Sequence, residues 1–203
     1  MFPSFQQIIE VLGNVSPPAV SVVSKRAAVV IGLRNGSLGP EMLMIQRAVK
    51  EGDPWSGHMG FPGGRKDPGD PSDLACAKRE TWEEVGLDLD TYGELICQLS
   101  DVNTGWRADR PEMLVAPFVF VINHCPELAL NHEVDDTVWI PIHFLMDDIN
   151  RARHQWEWRG EMLESDAFTF DQRLIWGLSL MMIDELLERV GGRRNRAAHV
   201  TRA

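Results

Sequence analysis

Apolar and polar positions change period several times along the chain. From Ser4 to Leu12 the apolar residues Phe5, Ile8, Ile9 and Leu12 recur at helical spacing, and Gly13-Asn14 ends the stripe. A short helix is predicted there, followed by a linker at Ser16-Pro17-Pro18. Arg26 to Leu33 is a β-rich apolar run, Asn35-Gly36 is a turn signal, and Glu41 to Gln46 is a second run, which together predict two strands. Residues 49–72 are rich in Gly and Pro around one apolar cluster, Met59-Gly60-Phe61, and read as a long loop. Loops of that length usually carry function.

Beyond the loop, Leu74 to Val85 has a helical pattern with Gly86 as its stop. Strands are predicted at Glu94–Leu99, Leu114–Val121 and Val138–Ile140, and a short helix from His143 to Ala152. Gln155–Arg159 and Met162–Glu164 form a predicted hairpin around Gly160. The longest helical pattern runs from Asp171 to Val190, with Leu174, Trp176, Leu178, Met181, Met182, Leu186 and Leu187 on its apolar face. Strands and helices without a regular strand–helix–strand repeat predict an α/β (α+β) sandwich. One domain over 1–203 is expected, with 1–25 as N-terminal helix and linker and 191–203 as a flexible basic tail.

Charge and composition narrow the function. The chain has 203 residues, 20 Lys+Arg and 30 Asp+Glu, for a net charge of −10. Removing the four tail arginines (Arg193, Arg194, Arg196 and Arg202) leaves 20 − 4 = 16 basic against 30 acidic groups, or −14. Such a balance disfavours nucleic-acid or anionic-membrane partners. It still permits a phosphate substrate, because a divalent metal inverts local charge. Cys76, Cys97 and Cys125 contain no C-x-x-C pair and predict neither a disulfide framework nor a thiolate zinc site. The opening MFPSFQQIIEVLGN lacks the layout of a signal peptide, and no apolar run reaches membrane-spanning length. A soluble, cytoplasmic protein is expected.

The chemistry concentrates in GGRKDPGDPSDLACAKRETWEEVGL, starting at Gly63. Residues at i, i+3 and i+4 share a helix face, so Glu80, Glu83 and Glu84 crowd together with Arg79 beside them. Two readings of that face stand: a solvated acidic surface, or hard oxygen donors for Mg²⁺ or Mn²⁺. The glycines allow close approach of backbone to a ligand or to the helix.

The whole stretch resembles the Nudix hydrolase signature, G-x5-E-x7-R-E-U-x-E-E-x-G-U, where U is bulky and apolar. Gly64, Arg79, Glu80, Glu83, Glu84, Gly86 and Leu87 match it. Asp70 stands where the pattern has Glu, one residue further from Arg79, and Thr81 fills the first U position. The resemblance implies an α/β/α sandwich with a mixed sheet and a loop–helix–loop signature. It implies Glu80, Glu83 and Glu84 as ligands of Mg²⁺ or Mn²⁺, with Arg79 orienting the carboxylates and Asp70 as a supporting residue. The catalytic set so implied is Arg79, Glu83 and an acid that accepts a proton. Glu133, Asp135 and Asp136 are candidates for that acid. Glu133 is favoured because it stands six residues before Trp139, as in some family members.

Further features resemble the coenzyme A pyrophosphatase branch. They are Phe61-Pro62-Gly63-Gly64, Gly57 at the G-x3-FPGG spacing, Met42 to Ala48 against L-L-T-x-R-[SA], and Ile175-Trp176-Gly177-Leu178-Ser179 against I-W-G-x-T. That branch expects an Arg between Arg47 and Gly57, where this chain offers only Lys50 as a base and carries Asp53-Pro54-Trp55. Arg47, Gly63 and Gly64 are the implied substrate-binding residues. The expected partner is a small nucleotide diphosphate, coenzyme A or its acyl derivatives first, with nucleoside diphosphate sugars and ADP-ribose as the alternative. A nucleotide-sensing module without catalysis is a lesser alternative, and a homodimer is expected. His58, Arg107 and Arg110 are candidate phosphate contacts, each equally readable as structural or solvated. Trp55 is a candidate for stacking on a base or sugar, whereas Trp156 and Trp158 read as packing on one hairpin face.

Overall fold

The computed structural model describes residues 2–18, 25–51, 56–104, 113–158, 160–191 and 201–202. Asp53-Pro54-Trp55, Arg107, Arg110, Arg159, and Arg193, Arg194 and Arg196 of the tail lie outside the described residues.

The apolar run at Arg26 becomes β1 (Arg26–Gly36), the strand around which the main sheet is built. It pairs in parallel with β7 (Leu114–Ile122), in register from Arg26–Leu114 to Leu33–Val121. Its other edge is shared. The C-terminal half pairs antiparallel with β2 (Gly39–Arg47), and Ala27 to Val29 pair antiparallel with β4 (Gly63–Arg65). In turn, β2 pairs with β8 (Val134–Pro141) and β3 (Met59–Gly60), while β5 (Gly93–Gln98) and β6 (Val102–Asn103) line β7. The result is an eight-stranded mixed sheet.

Successive residues of a strand face opposite ways, and both faces of this sheet are covered. Ala28, Val30, Leu43, Ile45 and Phe118 pack against α2 (Asp73–Val85). Ile31, Leu33, Met42, Met44 and Val119 share a core with α1 (Phe5–Gly13) and α5 (Gly177–Arg189). Burial on both faces explains why β1 and β7 read as continuous apolar runs. The sandwich therefore has the predicted layers. Two short helices, α3 (Leu89–Tyr92) and α4 (Ile142–Met146), complete the helical set of the described residues. At α1, Ser4 and Gln7 form a reciprocal capping box.

A second, antiparallel sheet contains β9 (Arg151–Trp158), β10 (Glu161–Phe170), β11 (Arg173–Ile175) and β12 (Thr201–Arg202). Three expectations are corrected. The loop at 49–72 contains β3 and β4, whose glycines hide the period-2 signal. The helix predicted at His143–Ala152 stops at Met146, because Asp147 caps a 3₁₀ turn at Asp148–Asn150 and Arg151 already belongs to β9. The helix predicted from Asp171 starts at Gly177. Asp171 and Gln172 adopt positive φ (47° and 63°), which breaks the helix and turns β10 into β11. The hairpin around Gly160 forms with arms longer than expected.

Arg151 ties this hairpin to α5. Its side chain is 8% exposed; Nε donates to Asp166 at 2.9 Å, and the two terminal nitrogens donate to Asp184 at 2.6 and 2.8 Å. Arg151→Met removes the shared cation from two mostly buried carboxylates and should cost about 3 kcal/mol, read as a lower midpoint in urea. A change within about 0.5 kcal/mol would mean that the network contributes little to stability.

Candidate active site

Both ends of α2 are fixed. At the start, Ser72 Oγ accepts the Ala75 N–H at 3.0 Å, and Arg26 of β1 donates to Asp73 at 2.5 Å. At the end, Gly86 takes a left-handed conformation (φ 67°) and donates to Trp82 O at 2.9 Å. Thr81, where the signature has an apolar residue, is buried with its hydroxyl donating to Ala77 O at 2.7 Å. Its polar atom is thus satisfied inside the helix, and the departure from the pattern leaves the helix intact.

The glycine strand β4 lies against this helix. Gly63 has φ 149°, and a Cβ there would stand 2.3 Å from Ala28 O. Its N–H donates to Glu84 Oε2 at 2.8 Å. A Cβ on Gly64 would stand 2.5 Å from Glu80 Cδ. Backbone contact demands glycine at the first position, and at the second the missing Cβ leaves room for the Glu80 carboxylate.

Arg79 organises the outer side. Nε and one terminal nitrogen grip Asp70 at 3.0 and 2.9 Å, a two-pronged geometry specific to guanidinium and carboxylate. The same guanidinium reaches Glu80 at 3.0 Å and Glu83 at 2.9 Å. Arg79 holds the Asp70 carboxyl well below the usual range. The extra residue after Asp70 thus accompanies an acid paired with the arginine.

The inner side is a crowd of negative charge. Glu84 is 2% exposed, and burial pushes its pKa up to about 7. The Gly63 N–H and Arg47 oppose that rise; Glu80 and Glu133 add to it. Glu80 is raised by burial, against the pull of Arg79, and by repulsion from Glu83 and Glu133. The three carboxylates of Glu80, Glu84 and Glu133 therefore feel one another. Strand pairing explains the meeting: Arg47 at the end of β2 pairs with Val134, and the next amide, Ala48 N–H, donates to Glu133 O at 2.8 Å.

Of the three candidate acids, Glu133, itself exposed, is the one whose charge acts on both Glu80 and Glu84. Asp136 is engaged by Arg173 at 2.5 Å, and Asp135 is exposed. Glu83 is half exposed and turned to Arg79. His58 packs its ring against Trp176, with centroids 5.3 Å apart. Among the described residues no three His, Cys, Asp or Glu side chains converge closely enough to hold a metal ion as they stand. The donor set nevertheless fits a hard divalent cation: all oxygen, partly buried, with Glu80 and Glu84 raised in pKa first by burial and then by neighbouring carboxylates. All three cysteines are free, and burial pushes the Cys76 thiol up to about 12, which leaves it unreactive.

A model of the NUDIX domain matches residues 23–164. The chain belongs to the Nudix family. It is 38% identical over 111 residues to the uncharacterized protein C14C4.10c of Schizosaccharomyces pombe, covering 53% of this chain and 33% of that protein. It is 29% identical over 164 residues to Nudix hydrolase 15, mitochondrial, of Arabidopsis thaliana, covering 76% and 55% respectively. The chain thus spans between a third and about half of the length of these relatives. Among solved structures, a C. elegans Ap4A hydrolase binary complex superposes with a TM-score of 0.50 at 22% identity, covering 60% of this chain and 83% of that one. This last likeness bears on the Nudix fold alone.

Two predictions follow from the geometry of the glycines and of Glu84. Gly64→Ala should fold, because the group it displaces is the flexible end of Glu80, whereas Gly63→Ala meets backbone and should lose several kcal/mol of stability. Thermal melts of the two variants separate these outcomes, and an equally stable pair would contradict the close approach. Glu84 has its pKa raised by folding, so ionising it is costly and metal-free stability falls as pH rises from about 4.5 through about 7. Glu84→Gln keeps an acceptor for Gly63 and should be more stable than wild type by roughly 3 kcal/mol at pH 8 in a chelator. That advantage should vanish towards pH 4.5; a gap independent of pH would show that charge is not its cause.

Proposed function

We propose that this protein is a metal-dependent hydrolase that splits the diphosphate of a nucleoside diphosphate-linked substrate. The observation that carries the reading is the seating of Glu84 and Glu80 against the Gly63-Gly64 strand, with Arg79 holding Glu80 and Glu83 on the same helix. Glu80, Glu83 and Glu84 would hold Mg²⁺ or Mn²⁺, with Glu83 rotating off Arg79. A bound divalent ion would neutralise diphosphate oxygens and lower the pKa of the attacking water.

The chain's own residues do the rest. Arg47 attracts the anionic diphosphate, and the Gly63 N–H fixes the Glu84 carboxylate. Arg79, itself held by Asp70, orients Glu80. Glu133 accepts the proton as water forms the new P–O bond; the bridging P–O bond breaks, and its electrons leave on the departing phosphate.

Coenzyme A and its acyl derivatives are the leading substrates of this proposal, supported by the FPGG run, the Asp70 spacing and the IWGLS segment. Nucleoside diphosphate sugars and ADP-ribose are the alternative, supported by the lack of an Arg between Arg47 and Gly57. We further propose one domain in a reducing, cytoplasmic setting, supported by the core shared by α1, α5 and the sheet and by the three free cysteines. The homodimer remains part of the proposal, to be tested by sedimentation.

The test is kcat/KM for coenzyme A, dephospho-coenzyme A, ADP-ribose and a nucleoside diphosphate sugar at one Mg²⁺ concentration. Coenzyme A should rank first, and a clear preference for either of the last two would end that assignment. Glu84→Gln and Glu83→Gln should each lower turnover by at least about a hundredfold while remaining folded. Mg²⁺ should raise the wild-type melting temperature and do so less in Glu80→Gln. Equal shifts would place the ion elsewhere.

A further inference from the structure

Four rings from three separate segments meet at the β3 edge of the main sheet. Trp176, between β11 and α5, is their centre: its ring centroid lies 5.3 Å from His58, 5.1 Å from His154 and 4.5 Å from Trp156. His154 stacks on Trp156 at 5.8 Å, nearly parallel at 12°. All four are only partly buried, unlike the aliphatic and Phe side chains that fill the two cores. Burial holds His154 below the ordinary imidazole range and favours its neutral ring.

The cluster adjoins the acidic site. The register Ile45–Gly60 and Gln46–Met59 continues to Arg47, whose N–H donates to His58 O at 3.0 Å. That bond sets the His58 backbone beside Arg47, the charge that opposes the rise of Glu84. Ser179 Oγ donates to Met59 O at 3.1 Å and fastens the start of α5, with Trp176 before it, to the same edge. A diphosphate at Arg47 would thus lie next to the strand edge that carries this partly open aromatic cluster.

We propose that His58 and Trp176, backed by His154 and Trp156, form the stacking surface for the purine base of the nucleotide. This deepens the hydrolase reading and rests on it for the position of the diphosphate. The physical basis is that a base presents a flat π face and gains most from rings held rigid beforehand. A flexible aliphatic moiety of the same substrate gains little from such rigidity.

Binding separates this inference from turnover. Titration calorimetry with ADP and with methylenediphosphonate, a diphosphate mimic without a base, is performed on wild type, Trp176→Ala, Trp176→Phe and His58→Leu. Wild type should bind ADP more tightly than the diphosphonate. Trp176→Ala should weaken ADP about tenfold or more and the diphosphonate less than about twofold. Trp176→Phe should recover most of the loss, and His58→Leu should weaken ADP selectively. Should Trp176→Ala fail to fold, His58→Leu and Trp176→Phe carry the same comparison. Equal losses for both ligands, unchanged ADP binding, or no ADP binding by wild type would overturn the stacking surface. Ring-dependent ADP binding by an enzyme that cleaves none of the panel would sink the hydrolase reading instead.

Discussion

Gly63 and Gly64 let one strand press on two neighbours at once, the first glycine on the backbone of β1 and the second on Glu80 of α2. The constraint acts on both partners. The backbone of β4 is pressed onto β1 at Ala28 and Val29, so it cannot retreat. The helix is pinned at its start through Arg26, so it cannot move away either. Between these two fixed bodies, the Gly63 N–H sets the direction of Glu84, and the space a Cβ would occupy on Gly64 receives Glu80.

The charge arrangement has two unequal halves. On the solvent side, Arg79 satisfies Asp70, Glu80 and Glu83 together. On the inner side, Arg47 is the cation opposing Glu84, while Glu80 and Glu133 work against it. Folding energy from the two cores supports carboxylates in a setting that penalises their ionised forms. Such local disfavour is characteristic of sites arranged for a ligand rather than for stability.

What could be read from the sequence follows from how each feature is encoded. Period and caps lie in consecutive residues, so β1, β7, α2 and the Gly86 stop were legible, as were Glu80, Glu83 and Glu84 as a group. The glycines of β4 carry no side-chain alternation and therefore read as loop. Asp171 and Gln172 defeat a helical pattern through their φ angles, which the apolar spacing of the following residues does not reveal. Glu133 could be narrowed only to a set of three acids, because its place depends on the register between β2 and β8. The rings of His58, His154, Trp156 and Trp176 are scattered along the chain, and only tertiary pairing assembles them. The longer spacing after Asp70 was visible, but its pairing with Arg79 required the fold.

The parallel ladder between β1 and β7 has a consequence for biosynthesis. A ribosome makes β1 before β7, and β2 can join it at once through a tight turn. The opposite edge of β1, carrying Arg26 to Leu33, has no mate until Leu114 to Val121 have emerged. Non-local pairings of this kind slow folding, and an unpaired apolar edge invites association with other chains. The nascent polypeptide is therefore most exposed to aggregation during synthesis of the segment that carries the signature helix, before the strand that pairs with this edge has emerged.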